Sequence, residues 1–534
     1  MTEAWWRHSV IYQVYVRSFA DSNGDGIGDL KGVTGRLPYL ADLGVDGIWL
    51  TPCYPSPQYD HGYDIENHTD IDPAYGDLDD FDQLVAEAHR LGLRVLLDVV
   101  PNHCAITHPW FVEALAAEPG NPARERFHFA DGDGDAPPNG WRSMFGGPAW
   151  TRVPGTSQWY LHLFTPGQPD CNWRHPDVPE MFAKVLRFWL DRGVDGFRID
   201  AAQGLFKHPE LADGDEPGAD ELTRDAANPN AWNQPEVHEV YRGWRAIVDE
   251  YAHSDLGDRV LVGEVTGLAQ AHLADYVRAD EMHQAFLFDL LHVPFEAGEY
   301  RRAIDRGLAL AAQTGSAPTW VLGNHDTTRV VTRYGGASLG AERARAAFLL
   351  LAALPGAVYV YQGDELGLPE YIDLPDEHRA DPIFRRTGGR QLGRDGCRIP
   401  LPWTSEGTSY GFSPDGAQAP WLPQPPWFAA YEADSQQADS ASTLRLYRDL
   451  LRLRRDLELG LDTPLTWLDQ PPHVLTFARG DLVCLVNTGP DPVPAPDGDL
   501  IVASRPWTSA AVPPNSGGWW RMTRSRPRPA RLRR

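Results

Sequence analysis

Four short segments, far apart in the chain, each place charged residues at the end of an apolar run. They are residues 98–103 (DVVPNH), 196–200 (GFRID), 260–265 (VLVGEV) and 322–326 (LGNHD). A parallel barrel surrounds one mouth with the carboxyl ends of its strands, and its active site forms at that mouth. If these runs are such strands, Asp200, Glu264 and Asp326 come from separate strands and meet at one point.

The rest of the chain supports a barrel, because strand-like runs alternate with helix-like runs. The strand-like runs are residues 10–16, 47–50, 95–100, 196–199, 260–265, 286–289, 320–322 and 358–361. Between them, segments such as residues 30–43 repeat apolar residues at intervals of three and four, as amphipathic helices do. Eight alternating pairs predict an α/β fold, a (β/α)8 TIM barrel, and disfavour a sandwich.

Two connections are too long for ordinary loops of such a barrel. The first follows the third strand and is rich in Pro, Gly, Trp and Phe, which predicts an inserted lid domain. The second, residues 366–440, follows the eighth strand. Short strand-like runs after residue 460 predict a small all-β domain. The predicted boundaries are 1–103 for the first part of the barrel, 104–175 for the lid (domain B), 176–460 for the second part, 461–521 for the β domain and 522–534 for a basic, disordered tail.

Composition narrows the classes of partner. The 534 residues carry a formal net charge of −26, which disfavours nucleic acid and acidic membranes and favours solubility. No window reaches 18 apolar residues, and residues 1–13 lack the pattern of a secretory signal. We therefore expect a cytoplasmic protein with no membrane partner. The five cysteines are scattered, with no CxxC pair, which favours buried free thiols over a disulfide framework or a zinc site.

Together the motifs resemble the sequence regions of the α-amylase superfamily of retaining glycosidases, glycoside hydrolase family 13. Residues 168–173 (QPDCNW) are similar to the QPDLNW-type segment of its α-glucosidase and oligo-1,6-glucosidase branch. Residues 60–64 (DHGYD), 362–367 (QGDELG) and 393–403 (GRDGCRIPLPW) also fit that branch. The resemblance runs in the correct order over residues 5–460. It implies an exo-acting retaining α-glucosidase that hydrolyses short substrates.

The resemblance assigns the three acids their roles. Asp200 matches the nucleophile, Glu264 the acid/base and Asp326 the third acid, which binds sugar hydroxyls and steadies positive charge. Retention needs the first two carboxyls about 5–5.5 Å apart. We expect Arg198 to keep Asp200 ionised, and apolar surroundings to let Glu264 keep its proton. Taken singly, each acid could instead be a structural carboxylate that caps a helix or pairs with an arginine.

Four further residues resemble those with which the family binds the terminal glucose. His103 and His325 resemble the histidines that bind its hydroxyls. Asp60 and Arg394 resemble the pair that holds its far hydroxyl and closes the pocket, although an Asp–Arg pair can also be a plain surface ion pair. A pocket closed in this way releases single glucose units from a chain end.

Two aromatic residues and one small residue bear on the subsites. Tyr63 is expected to stack on the sugar, and Phe164 to line the next subsite unless it is a core residue of the lid. After the nucleophile comes Ala201, where relatives that prefer α-1,6 bonds tend to have Val and those that prefer α-1,4 bonds Thr. The linkage is therefore open; the segment at 393–403 favours α-1,4 disaccharides such as maltose.

A loop after the first strand, residues 21–29 (DSNGDGIGD), resembles the cation loop of the oligo-1,6-glucosidase branch. The predicted ligands are Asp21, Asn23, Asp25, the carbonyl of Ile27 and Asp29. The loop is not an EF-hand, since Gly32 stands where the bidentate Glu belongs. We expect a structural Ca²⁺, with Mg²⁺ as the alternative, and neither an organic cofactor nor a catalytic metal.

Three alternatives remain open from the sequence. The same glucosyl intermediate can pass to a sugar instead of water, as in a transglucosidase or a trehalose synthase. The enzyme can prefer α-1,6 bonds, as an oligo-1,6-glucosidase does. A non-catalytic amylase-like binding subunit is the third, but it predicts a lost acid and a membrane span, and the sequence has neither. Oligomeric state and the role of the basic tail are not specified.

Overall fold

The structure, a computed structural model, describes residues 4–213, 228–252, 257–266, 270–460, 463–507 and 510–522. The predicted tail, apart from its first residue Met522, lies outside the described residues.

The helices and strands follow one another as the alternation predicts. The first part of the chain forms β1 (Val10–Val14), α1 (Leu30–Leu43), β2 (Gly47–Leu50), α2 (Leu78–Arg90) and β3 (Arg94–Val99). The long connection forms α3 (Pro109–Ala116), α4 (Pro122–Glu125), β4 (Phe129–Asp131), β5 (Trp150–Arg152) and β6 (Gln158–Leu161). Next come α5 (Asp177–Asp191), β7 (Gly196–Ile199), α6 (Val237–Glu250), β8 (Val260–Gly263), α7 (Gln270–Tyr276), β9 (Gln284–Ala285) and α8 (Asp289–His292).

The second half completes the barrel and adds a β region. Its first elements are α9 (Ala297–Thr314), β10 (Thr319–Val321), α10 (Val330–Arg333), α11 (Ala337–Ala352), β11 (Ala357–Tyr361), α12 (Pro382–Arg386), α13 (Ala433–Ala438) and α14 (Thr443–Asp456). The last are β12 (Thr466–Trp467), β13 (Val474–Arg479), β14 (Leu482–Asn487), β15 (Val493–Pro494), β16 (Asp499–Ala503), β17 (Ala511–Val512) and β18 (Ser516–Arg521).

Eight parallel strands form the barrel, which confirms the predicted fold class. Their order is β10-β11-β1-β2-β3-β7-β8-β9. A parallel bridge between Leu287 and Trp320 brings the chain after β9 beside β10 and nearly closes the sheet on itself. Strands such as β2 and β7 are buried along their whole length, because helices cover the outside of a parallel barrel and side chains fill its inside.

Helix α1 begins and ends as the sequence predicts. The Asp29 side chain accepts a hydrogen bond from the Gly32 amide and caps the first turn. Gly44 ends the helix in the left-handed conformation, with φ of 93°.

One predicted strand is displaced. Residues 286–289 were expected to form the sixth strand, but β9 covers Gln284–Ala285 and Asp289 already begins α8. A short apolar run such as FLFDLL fits a buried strand and a buried helix equally well, so periodicity alone does not separate them.

The long connection after β3 folds over the mouth of the barrel. Its strands form a three-stranded antiparallel sheet, in the order β4-β6-β5. Two antiparallel bridges, His103–Asp170 and Phe127–Cys171, bring its last residues back against its first. This region therefore lies directly beside the strand end that carries His103.

The C-terminal strands form a five-stranded antiparallel sheet, β12-β13-β14-β18-β16, and a two-stranded sheet, β15-β17. The five-stranded sheet rests on α11, where the Trp519 indole donates to the Leu349 carbonyl at 3.1 Å.

All five cysteines are buried and free, as expected. Within the described ranges, no helix combines the length and the apolar character needed to cross a membrane.

Candidate active site

One buried guanidinium, that of Arg198, holds three carboxylates at the mouth of the barrel. Its Nη1 donates to Asp98 Oδ1 and to Asp200 Oδ1, each at 2.8 Å, and its Nη2 donates to Glu264 Oε2 at 2.5 Å. The strand register brings them together, since β3 and β7 pair with Asp98 opposite Arg198. The Ala201 amide donates to Glu264 Oε2 at 3.2 Å as well. Asp200 and Glu264 are thus both fixed by one cation.

The protonation of this group differs from the sequence expectation. Burial raises the pKa of Asp200 well above its ordinary value; Arg198 opposes this, and the charges of Glu264 and Asp98 add to it. Burial likewise raises the pKa of Asp98 to about 6, against Arg198. Arg198 alone does not hold Asp200 ionised, because one guanidinium faces three carboxylates. The pKa of Asp200 therefore depends on the charges of its carboxylate neighbours as well as on Arg198.

Asp326 has the opposite environment. Arg394 Nη1 and Arg398 Nη2 donate to its Oδ1 at 3.0 and 2.8 Å. Burial opposes ionisation, but the charges around Asp326 lower its pKa well below its usual range. Because burial also lowers the pKa of His325 far below its ordinary value, that ring is neutral and the two arginines supply the charge. Asp326 is therefore an ionised acid.

Arg394 also pairs with Asp60, the residue to which the motif couples it. Its Nη2 donates to Asp60 Oδ1 at 2.6 Å, and its Nε donates to Asp381 Oδ2 at 2.7 Å. Burial works against ionisation of Asp381, yet Arg394 and Arg398 lower its pKa to about 2. For Asp60 burial prevails and raises its pKa despite Arg394. These partners fix the guanidinium from three sides.

His325 and Tyr63 form a stacked pair at the mouth. Their ring centroids are 5.3 Å apart at an angle of 9°, and the Tyr63 hydroxyl donates to Asp98 Oδ2 at 2.9 Å. His325 Nδ1 lies 2.7 Å from Gln13 Nε2, while its buried Nε2 makes no hydrogen bond within the described residues. That nitrogen lies 3.3 Å from Asp326 Oδ2, so it is on the side of the third acid. Since His325 covers one face of Tyr63, the stacking of a sugar on Tyr63 stays a prediction.

His103 lies between the barrel and the lid. Its Nε2 is 3.0 Å from the Tyr63 carbonyl and its Nδ1 is 3.1 Å from Asn102 Nδ2. Burial lowers the pKa of His103 to about 4. Phe164 is half-buried, and its ring centroid lies 4.8 Å from that of His103 and 6.2 Å from that of Trp232, so its place in the next subsite stays a prediction.

The predicted cation loop is closed by its own amides. Asp21 accepts from the Gly24 and Gly26 amides at 2.7 and 2.9 Å, and Asp29 accepts from Ser22 and Gly32. Asn23, Asp25 and Ile27 bond among themselves. In the described part of the chain, no three His, Cys, Asp or Glu side chains are grouped so that they could hold a metal ion. The hard oxygen donors of a Ca²⁺ site are present, but the three carboxylates do not converge.

Sequence reasoning assigned no role to several residues that the site uses. They are Gln13, Asp98, Gln168, Asp381 and Arg398. Asp98, Gln168 and Arg398 stand inside the motifs quoted above, so the signal was present. Asp381 and Gln13 stand in no such motif. Only the folded structure places Asp381 beside Arg394 and Gln13 beside His325.

Known proteins of one family match this chain over most of its length. Residues 13–460 match the Alpha-amylase family, described as "Alpha amylase, catalytic domain". A probable alpha-glucosidase of Rhizobium meliloti (strain 1021) is 40% identical over 511 residues, covering 90% of this chain and 89% of the relative. An oligo-1,6-glucosidase of Parageobacillus thermoglucosidasius is 32% identical over 511 residues with the same coverage. The solved alpha-glucosyl transfer enzyme XgtA superposes with a TM-score of 0.86 at 36% identity, over 97% of this chain and 99% of that one.

Proposed function

Because this chain belongs to the α-amylase family and is a glycoside hydrolase, we propose that it is an exo-acting retaining α-glucosidase. It removes terminal α-linked glucose from disaccharides and short oligosaccharides, with α-1,4 bonds of the maltose type preferred. The observation that carries the proposal is the Arg198 guanidinium, which holds Asp200 and Glu264 side by side.

The chemistry follows from that pair. Asp200 attacks the anomeric carbon while Glu264 gives its proton to the departing glycosidic oxygen, and a covalent glucosyl ester forms on Asp200. Glu264, now ionised, takes a proton from water, which attacks the same carbon and releases glucose with its original configuration. Asp326, ionised beside two arginines, stabilises the positive charge that develops on the sugar ring.

The exo mode is supported by the ion pair of Asp60 with Arg394. Both side chains are largely buried: 4% of the Asp60 side-chain surface and 11% of the Arg394 side-chain surface is exposed. In the proposal this pair stands behind the terminal glucose, so a polymer cannot run past it and only a chain terminus enters.

A second candidate, glucosyl transfer to a sugar, is favoured by one specific comparison. The alpha-glucosyl transfer enzyme XgtA is 36% identical and matches 97% of this chain. Transfer and hydrolysis share the intermediate on Asp200, so they differ in what reaches it second. Ala201 directly follows Asp200 and leaves more room beside the acceptor than a larger residue would.

A panel of disaccharides tests these proposals. The enzyme is incubated separately with maltose, isomaltose, sucrose and trehalose, and products are identified by chromatography. Glucose as the main product, fastest from maltose, supports the α-glucosidase. Oligosaccharides or an isomer as the main product would favour transfer, and a clear preference for isomaltose would favour an oligo-1,6-glucosidase.

The loop at residues 21–29 is a second element of the proposal. We propose that it binds Ca²⁺ in a structural role once its carboxylates turn from the loop amides toward one centre, on the basis of its oxygen donors: Asp21, Asn23, Asp25, the Ile27 carbonyl and Asp29. Asp21 and Asp29 are both 4% exposed, and a cation would offset the cost of burying their charges. The reaction itself uses only side chains of the protein.

A further inference from the structure

A fully buried lysine, Lys207, joins three parts of the site. Its Nζ lies 2.9 Å from Asp170 Oδ2 in the lid and 2.9 Å from Asn102 Oδ1 after β3. It also donates to the carbonyl of Gly204, on its own loop after β7. Lys207 and Asp170 are both 0% exposed. The ammonium group therefore makes two hydrogen bonds, to Asn102 and Gly204, and an ion pair with Asp170.

The lysine dictates how the Asn102 amide is oriented. An ammonium group can only donate, so the Asn102 atom that faces it must be the oxygen. The Asn102 nitrogen then faces His103 Nδ1, 3.1 Å away. This nitrogen also can only donate, so His103 Nδ1 must accept.

The proton of His103 is therefore on Nε2. Burial lowers the pKa of His103 to about 4, so at neutral pH the ring holds one proton. With Nδ1 accepting from Asn102, Nε2–H donates to the Tyr63 carbonyl at 3.0 Å. The Gln168 amide nitrogen, 3.1 Å from Nε2, is turned toward Asp60 Oδ2 at 3.2 Å. Nε2–H is thus bound to the Tyr63 carbonyl, and Gln168 lies between His103 and Asp60.

We propose that Lys207 is a positioning residue that holds His103 in the Nε2–H tautomer through the Asn102 amide, so that Nε2–H bonds to the Tyr63 carbonyl and fixes the orientation of the ring beside the substrate. Lys207 touches no substrate itself. The proposal deepens the proposed function, and its kinetic part rests on that function because it places the His103 ring beside the sugar. The tautomer itself does not depend on any substrate.

The test must separate this role from simple charge pairing with Asp170. Lys207→Met alone leaves the buried Asp170 carboxylate without its cation, which can prevent folding. The double variant Lys207→Met/Asp170→Asn removes both charges, and the asparagine oxygen can still accept from the Leu163 amide. Lys184→Met is the matched control, since Lys184 is 73% exposed and, among the residues that the structure describes, pairs only with Glu180 on its own helix.

The first measurement is the tautomer of His103, by NMR of ¹⁵N-histidine-labelled protein, with the resonance identified by its loss in His103→Gln. We expect Nε2–H in the wild type and in Lys184→Met, and a substantial Nδ1–H population in the double variant, where Asn102 is free to turn. Nδ1–H in the wild type, or an unchanged tautomer in the double variant, would overturn the proposal whether or not the protein cleaves α-glucosides.

The second measurement is kcat/KM on the best disaccharide. The double variant is expected to lose about tenfold, the value of one hydrogen bond, while its melting temperature stays near that of the wild type. In a His103→Gln background the same two substitutions should cause no further loss, because their effect passes through His103. A full additional loss in that background would contradict the proposed route.

Discussion

Arg394 donates a hydrogen bond to Asp60 at 2.6 Å, although the two residues are 334 positions apart in the chain. Arg394 comes from the long connection after β11 and Asp60 from the loop after β2, so one ion pair joins two distant loops. The same guanidinium reaches Asp326, so the third acid belongs to the same charge network.

We expect Arg394→Lys to lower kcat/KM on maltose about 100-fold, since losing one partner of a buried charge network costs roughly 2–5 kcal/mol. A lysine offers one point charge and cannot reach Asp60, Asp326 and Asp381 together. Steady-state kinetics check this. Arg390→Lys is the control, because Arg390 is exposed four residues away and should tolerate the change. Equal kinetics for the two variants would show that Arg394 does not grip the substrate.

Replacing Glu264 should affect substrates according to their leaving group. Glu264→Ala is expected to lower kcat/KM on maltose about 10³-fold, within the usual contribution of general acid–base catalysis. A p-nitrophenyl α-glucoside, whose leaving group needs no proton, should lose less in its first step, and azide should restore turnover by replacing the activated water. Glu250→Ala, at an exposed pair with Arg187, is the control. Equal losses on both substrates, with no effect of azide, would remove Glu264 from the acid/base role.

The raised pKa of Asp200 predicts a shifted acidic limit of activity. Asp200 must be ionised to attack, so kcat/KM falls as pH drops through its pKa, which burial places above the ordinary aspartate value of about 3.9. The charge of Asp98 raises the pKa of Asp200 further, so Asp98→Asn should move the acidic limb to lower pH. Profiles of kcat/KM from pH 3.5 to 8 measure both effects. An acidic limb near pH 3.9, or one that Asp98→Asn moves upward, would contradict this environment.

The cation loop gives a prediction for stability. Ca²⁺ at 100 times its Kd should stabilise the fold by about 2.7 kcal/mol, because it binds the folded state. Thermal unfolding with EDTA and with added Ca²⁺ measures the difference, and Asp21→Asn should abolish it. Asp131→Asn, at an exposed position of the lid, should leave it intact. If Ca²⁺ has no effect on the melting temperature of the wild type, the loop is a closed turn and not a cation site.

Much of the fold could be predicted because its signals are local. The apolar spacing of residues 30–43 matches α1, and the apolar runs at residues 47–50 and 196–199 match β2 and β7. The sixth strand was misplaced because the apolar run at its end also fits a helix. Runs of this kind are resolved by tertiary contacts, such as the Leu287–Trp320 bridge, which sequence does not reveal.

Some features of the candidate site could likewise be predicted from the sequence, and others could not. Asp200, Glu264 and Asp326 follow strand-like runs, so their meeting could be predicted from barrel geometry alone. The protonation of Asp200 could not, because it depends on how many carboxylates share Arg198. Asp381 stands in no quoted motif. Its contact with Arg394 depends on how the connecting loop folds back, which composition and spacing do not encode.

The central claim is that Asp200 and Glu264 carry out a double displacement at one anomeric carbon. Proton NMR of the first minutes of maltose hydrolysis, before glucose mutarotates, tests it most directly. We predict that the non-reducing glucose first appears as the α-anomer in the wild-type protein and that Asp200→Ala produces none. Initial release of the β-anomer, or undiminished turnover by Asp200→Ala, would contradict the account.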